Sequence, residues 1–155
     1  MRKGFGLWQA IMIILLISGL MIVVLKYATI SAKHIQNSFV REQSELFLNS
    51  AIEQTLLKIA FHDRTNGFLE EYTIPSVKGR GITYNGHVNI TKYYLQAGSQ
   101  DYNDCENNKV NVECVAIAEG VAQSDGMAMF EVEVNATKPD GTVVCKILRR
   151  TLQQP

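Results

Sequence analysis

Residues 10–25, AIMIILLISGLMIVVL, are sixteen consecutive positions without a formal charge, and residues 7–25 extend the run to nineteen with Gln9 inside it. Nineteen helical residues rise about 28 Å, just enough to cross the hydrocarbon core of a bilayer. Arg2 and Lys3 come immediately before the run. By the positive-inside tendency they hold the N-terminus in the cytoplasm and send the rest of the chain outward. The three cysteines, Cys105, Cys114 and Cys145, all lie beyond the run, where an exported domain meets oxidising conditions. With 155 residues in total, the part beyond the membrane segment is long enough for one small domain. Fifteen basic and fifteen acidic residues cancel, so no global field recruits nucleic acid or anionic lipid.

A secretory signal would end in small residues at a cleavage site, and YATISA offers only a poor one around Ile30 and Ala32. The helical pattern also continues past it. Ala28, Ala32, Ile35, Phe39 and Leu46 form a narrow apolar stripe among Lys33, His34, Gln36, Asn37, Arg41 and Glu42. From 46 to 61, ten of sixteen residues are apolar, a band too wide for a solvated stalk. Neither Pro nor Gly interrupts residues 20–66, and RTNG at 64–67 supplies a stop. The reading is one helix from Phe5 to about His62. Residues 5–26 are its membrane-spanning half and 27–62 its extracytoplasmic half.

After Gly67 the pattern becomes extended. EYTIPSV, GITYNGHVNITKYYL, VECVAIAEGVA, MAMFEVEVNAT and TVVCKILRRTL are rich in β-branched and aromatic residues. Asn85-Gly86, Asp125-Gly126 and Pro139-Asp140-Gly141 read as turns between them. The expectation is an α+β protein in which residues 67–155 form a small antiparallel meander. Phe130, Val132 and Val134 would share its apolar face, which would cover the helix at 46–61.

Motifs of catalysis are absent from the sequence: G-x-S-x-G, H-E-x-x-H, a P-loop and C-x-x-C do not occur, and the three histidines are dispersed. His62 at the helix end reads as a partner of the terminal carbonyls rather than as a base. The chain is therefore expected not to be an enzyme and to need no cofactor or metal. SQDYNDCENNKVNVEC is the most polar stretch and reads as a loop. Asp101, Asn103, Asp104 and Glu106 offer oxygen ligands for calcium there, but without the spacing of an EF-hand. A Cys105–Cys114 bridge would constrain this loop, with Cys114–Cys145 between neighbouring strands as the alternative. CKILRR places Lys146, Leu148 and Arg150 on one side of a strand, too few charges for a nucleic-acid footprint. EVNAT carries an N-x-T acceptor at Asn135.

KGFGLWQ followed by an uncharged run, a long helix and a small C-terminal sheet resembles the type IV prepilins and pseudopilins. That resemblance implies that residues 1–4 are a leader cut between Gly4 and Phe5. Phe5 would be the new, N-methylated N-terminus, and Leu7 would stand at the third mature position. The leader is only four residues, and the family's mid-helix proline is missing, with Lys26 near its place. Gln9 occupies the fifth mature position, where shaft subunits usually carry Glu. A carboxylate there compensates the N-terminal amine of a neighbour in an apolar surrounding, whereas Gln offers only a neutral hydrogen bond.

The resemblance therefore implies a minor subunit of a type II secretion pseudopilus or type IV pilus, placed at the tip or acting as an initiator. Its partners would be other pilin or pseudopilin subunits, the prepilin peptidase and the inner-membrane assembly platform. It would sit in the bacterial inner membrane with its C-terminal domain in the periplasm, and in a filament after assembly. A DNA-binding or adhesive minor pilin, and a single-pass anchored periplasmic protein that never assembles, are the alternatives.

Overall fold

The structure, a computed structural model, describes residues 5–63, 67–108, 111–118 and 126–154. The chain divides into two compact units, Met1–Phe39 and Val40–Pro155. One helix, α1 (Phe5–Ala60), contributes to both. The expected end near His62 lies two residues past the observed one at Ala60; between them the Phe61 amide still donates to the Leu57 carbonyl at 3.1 Å. The stop at 64–66 and Asp125 of the expected Asp125-Gly126 turn lie outside the described residues.

In the first unit, residues 6–38 of α1 are exposed throughout. The second unit packs residues 40–60 of the same helix on one face of a sheet. Its strands are β1 (Glu71–Gly79), β2 (Ile82–Gln96), β3 (Glu113–Ile117), β4 (Met127–Thr137) and β5 (Val143–Gln153). A second helix, α2 (Gln100–Asn108), lies between β2 and β3. The α+β class and the five extended segments are those the sequence predicts.

Three expectations are corrected. The sheet is not a simple antiparallel meander. Its order is β1-β2-β4-β5, all antiparallel, while β3 returns beside the second half of β2 as a parallel strand, Lys92 opposite Glu113 through Gln96 opposite Ile117. A parallel neighbour needs a crossover, and α2 sits in that connection. The polar stretch expected to be a loop is therefore partly helical. Ser99 starts α2 by accepting from the Tyr102 amide on its hydroxyl (3.1 Å) and from the Asn103 amide on its carbonyl (3.2 Å).

The third correction concerns Asn85-Gly86, which lies inside β2, opposite Asn135 and Val134 of β4. The chain reverses instead at Arg80-Gly81, both with positive φ (49° and 77°). Gly86 is in the strand for packing. A Cβ there would stand 2.8 Å from Ile74 Cδ1 and 3.2 Å from Phe47 Cε1. The missing side chain lets α1 and β1 close over β2.

The core lies between α1 and the sheet. Phe130, Val132, Val134 and Ala136 of β4 and Val88 and Ile90 of β2 are buried on the inner face. All but Ala136 cluster with Leu48, Ala51 and Ile59 of α1, and Ala136 clusters with Val40 of the same helix. Each fully buried aliphatic or aromatic side chain contributes about 1.5–3 kcal/mol relative to exposure. The buried positions on the helix are 40, 44, 48, 51, 55 and 59, a stripe of helical spacing that begins before the 46–61 band. Ser44 and Thr55 belong to it because their hydroxyls donate back to the Val40 and Ala51 carbonyls at 2.8 and 2.7 Å. Thr55 also shares a 2.8 Å hydrogen bond with the Tyr72 phenol. Burial raises that phenol's pKa against the opposing pull of the Thr55 bond.

Candidate functional site

The largest surface in want of a partner is the first half of α1. None of its most apolar stretch is buried within the protein. The helix is long and apolar enough to cross a membrane. Ser18, the hydroxyl inside the uncharged run, donates to the Leu15 carbonyl at 2.9 Å, and Thr29, just beyond the run, donates to the Lys26 carbonyl at 2.8 Å. A backbone hydrogen-bonded within the helix and internally bonded hydroxyls are what hydrocarbon requires.

α1 begins at Phe5 and carries no acidic residue in its first turn. Leu7 and Gln9 lie on this turn and the next, and both are exposed. Gly4, and with it the expected cleavage bond, lies outside the described residues. Between residues 7 and 25 no side chain carries a charge, so Gln9 is the strongest hydrogen-bonding side chain of the span. It both donates and accepts through its amide.

In the second unit, Cys105 on α2 and Cys114 on β3 form a disulfide, with their Cα atoms 6.1 Å apart. It ties the crossover helix to the strand that comes after it, and Cys105 is fully buried against the core. The alternative Cys114–Cys145 pairing is thereby set aside. Cys145 lies on β5 opposite Ala136, half-buried and free. Asp101, Asn103, Asp104 and Glu106 stand on α2, and among the described residues no group of three or more His, Cys, Asp or Glu could hold a metal ion.

The outer face of the sheet is polar. Lys146 Nζ lies 2.7 Å from Glu133 Oε1, Arg150 pairs with Glu131, and Lys92 Nζ lies 2.6 Å from Glu113 Oε2. His87 Nε2 is 3.7 Å from Glu71 Oε2. Lys146, followed by the Asn135 amide, holds the Glu133 carboxyl below the usual glutamate range. The two cations of CKILRR that share a face with Leu148 are thus matched by carboxylates, which removes the excess positive charge that phosphate contact needs. Asn135 itself stands in the strand that β2 and β5 flank, its amide donating to Glu133 at 2.7 Å. An open hollow of about 520 Å³ lies between the 80–81 and 138–141 turns, and its lining includes Lys78 and Lys138 but no carboxylate, histidine or cysteine.

Sequence reasoning did not find α2, the packing role of Gly86, or the buried Ser44 and Thr55. The helical spacing of Val40, Leu48, Ala51 and Ile59 was the one signal for the last two.

No family model matches the chain, and neither a curated protein nor a solved structure matches it.

Proposed function

We propose that this chain is a structural minor subunit of a type II secretion pseudopilus or type IV pilus, acting at the tip or as an initiator, and that it is not an enzyme. The observation that carries this reading is the division of labour along α1. A single helix has an exposed half built around the uncharged run at residues 7–25, with no cover of its own, and a second half that packs into the core of an α+β domain. An anchor joined to its domain by a flexible linker would need no such continuity. A helix that is membrane anchor before assembly and filament spine afterwards needs its exposed apolar half to pass from lipid to sister helices without unfolding.

The KGF sequence at residues 3–5 supports cleavage after Gly4 and N-methylation of Phe5. Arg2 and Lys3 keep that bond at the cytoplasmic face, within reach of a prepilin peptidase, and the domain on the periplasmic side. The first turn of the helix carries no carboxylate, so each copy gives a neighbour's amine only the Gln9 amide. That weak compensation supports a low-copy position rather than a repeated shaft position.

Mass spectrometry of the mature protein from its host tests the reading. A chain beginning at methylated Phe5 is expected, and Gly4→Leu should accumulate the full precursor outside filaments. A mature N-terminus at Met1 would leave a plain single-pass anchor. Counting copies in sheared filaments tests the position: sparse wild-type protein and more frequent incorporation of Gln9→Glu are expected, and abundant wild-type copies along the shaft would remove the tip assignment.

A further inference from the structure

The described lysines of the second unit are Lys58, Lys78, Lys92, Lys138 and Lys146. Three of them are engaged: Lys58 Nζ stands 4.4 Å from the centre of the Tyr72 ring, Lys92 pairs with Glu113, and Lys146 pairs with Glu133. Lys78 and Lys138 have no ion-pair partner among the described residues, and both line the same open hollow of about 520 Å³. Lys78, Thr83 and Thr137 stand opposite one another across β1, β2 and β4, and Lys138 follows Thr137 into the next turn. The Thr137 hydroxyl donates to the Thr83 carbonyl at 3.2 Å. No carboxylate lines the hollow. Asp140, the single carboxylate of the two turns, accepts from the Thr142 amide at 2.9 Å. The next row along β2 and β4 on that face, Asn85 opposite Asn135, is neutral.

The hollow lies at the end of the sheet where the chain enters the second unit. Val40, the first residue of that unit, is buried with Ile82, Tyr84 and Ala136, which border the 80–81 and 138–141 turns. The uncharged run ends at Leu25, and the stretch of α1 from there to Val40 is about 22 Å long. The formal charges along that stretch, Lys26 and Lys33, are both positive. A tether that short keeps the headgroups of the bilayer at a high effective concentration around the hollow.

We propose that this hollow is a docking site for the phosphate headgroup of an anionic phospholipid in the bilayer that α1 enters. Lys78 from β1 and Lys138 from the second turn meet the phosphate oxygens as point charges, and the Thr83 hydroxyl beside them is a further donor. A zwitterionic headgroup brings its own ammonium, which competes with the lysines for the phosphate. The site therefore selects lipids whose headgroup carries a net negative charge. Occupied, it fastens the second unit to the leaflet surface while α1 remains in the bilayer. The inference requires the run at residues 7–25 to span a membrane and is independent of assembly into a filament.

Flotation of the full chain with phosphatidylcholine vesicles checks the span by itself, and a chain that does not float would remove the tether and with it the proposal. In zwitterionic detergent micelles, the amide resonances of Gly81 and Gly141 are then followed by nuclear magnetic resonance as phosphatidylglycerol is added. Both are expected to shift saturably, to respond less as salt rises, and to stay in place when phosphatidylcholine is added instead. The chain with Lys78→Gln and Lys138→Gln should need about twentyfold more phosphatidylglycerol, roughly fivefold for each lysine. Its unfolding midpoint should not move, because both side chains are exposed. The chain with Lys92→Gln and Lys146→Gln, an equal loss of charge at paired lysines, should respond as the unaltered chain does. Absence of a saturable shift, the same response in both double variants, or an equal shift with inorganic phosphate at the same concentration would each overturn the proposal, the last by assigning the hollow to a soluble anion.

Discussion

The two halves of α1 belong to one unbroken helix and meet opposite fates. From residue 6 to 38 the side chains stay exposed, although the run at 10–25 is the most apolar in the chain. From residue 40 onward the helix is less apolar, carries Arg41, Glu42, Glu45, Glu53 and Lys58, and yet buries Val40, Leu48, Ala51 and Ile59. Hydrophobicity alone does not decide burial. A stripe of one-sided spacing can be covered by one sheet, whereas a helix that is apolar all round needs apolar surroundings on every side.

This contrast can be broken by substitution, and the largest effect is expected where burial is complete. Phe130→Ala removes a fully buried ring from the inner face of β4 and should lower domain stability by about 3–5 kcal/mol. Leu16→Ala, in the exposed half, should leave that stability unchanged. Denaturant unfolding of the full chain in micelles, followed by tyrosine near-ultraviolet circular dichroism, compares the two. The order reverses for membrane insertion: Leu16→Lys should oppose it by about 2.5–3.5 kcal/mol at mid-span, and Phe130→Ala should have no effect.

Removal of the disulfide comes next. The bridge spans a sequence separation of 9, and a loop that short accounts for about 2–3 kcal/mol through the unfolded state. The Cys105→Ser, Cys114→Ser pair should lose that much or slightly more, because Cys105 also fills a core position. An unchanged midpoint with and without reductant would show that α2 is held by packing alone. Gly86→Ala is expected to cost about 1–3 kcal/mol by overpacking. Its Cβ meets Ile74 Cδ1 at 2.8 Å and Phe47 Cε1 at 3.2 Å, so shortening Phe47 to Leu in the same chain should recover part of the loss. Full stability of Gly86→Ala would place the clash within reach of side-chain adjustment.

The smallest effect is electrostatic. Glu133 has its pKa lowered in the folded state, chiefly by Lys146. A depressed carboxyl pKa stabilises the fold above the unfolded value, and that contribution disappears as pH falls through the folded value. Stability should therefore decline below the ordinary glutamate pKa of 4.5, and Glu133→Gln should flatten that part of the profile. The pair is partly solvated, so the change is small. A profile unaltered by Glu133→Gln would mean that other carboxylates carry the acid response.

Much of this architecture is written in local patterns. The uncharged run, the unbroken helix to Ala60 and the five β-rich segments come from composition and spacing over a few residues, because backbone propensity and one-sided hydrophobicity are local properties. The Cys105–Cys114 bridge was legible for the same reason, since its loop is short. Asn85-Gly86 was misleading because the same dipeptide that favours a turn in isolation also gives a strand with no side chain, and only the approach of Phe47 and Ile74 selects the second use.

Ser44 and Thr55 do not look like core residues until the helix carbonyls that accept their hydroxyls are in place. The parallel placement of β3 and the open edge of β5 depend on which strands meet across the sheet, a choice made by contacts between residues far apart in the chain. The sequence by itself determined the long helix, the extended segments and the membrane-competent run, through interactions within each segment, but not α2. The tertiary structure decided neighbours, faces and edges, because those depend on which surfaces exclude water together.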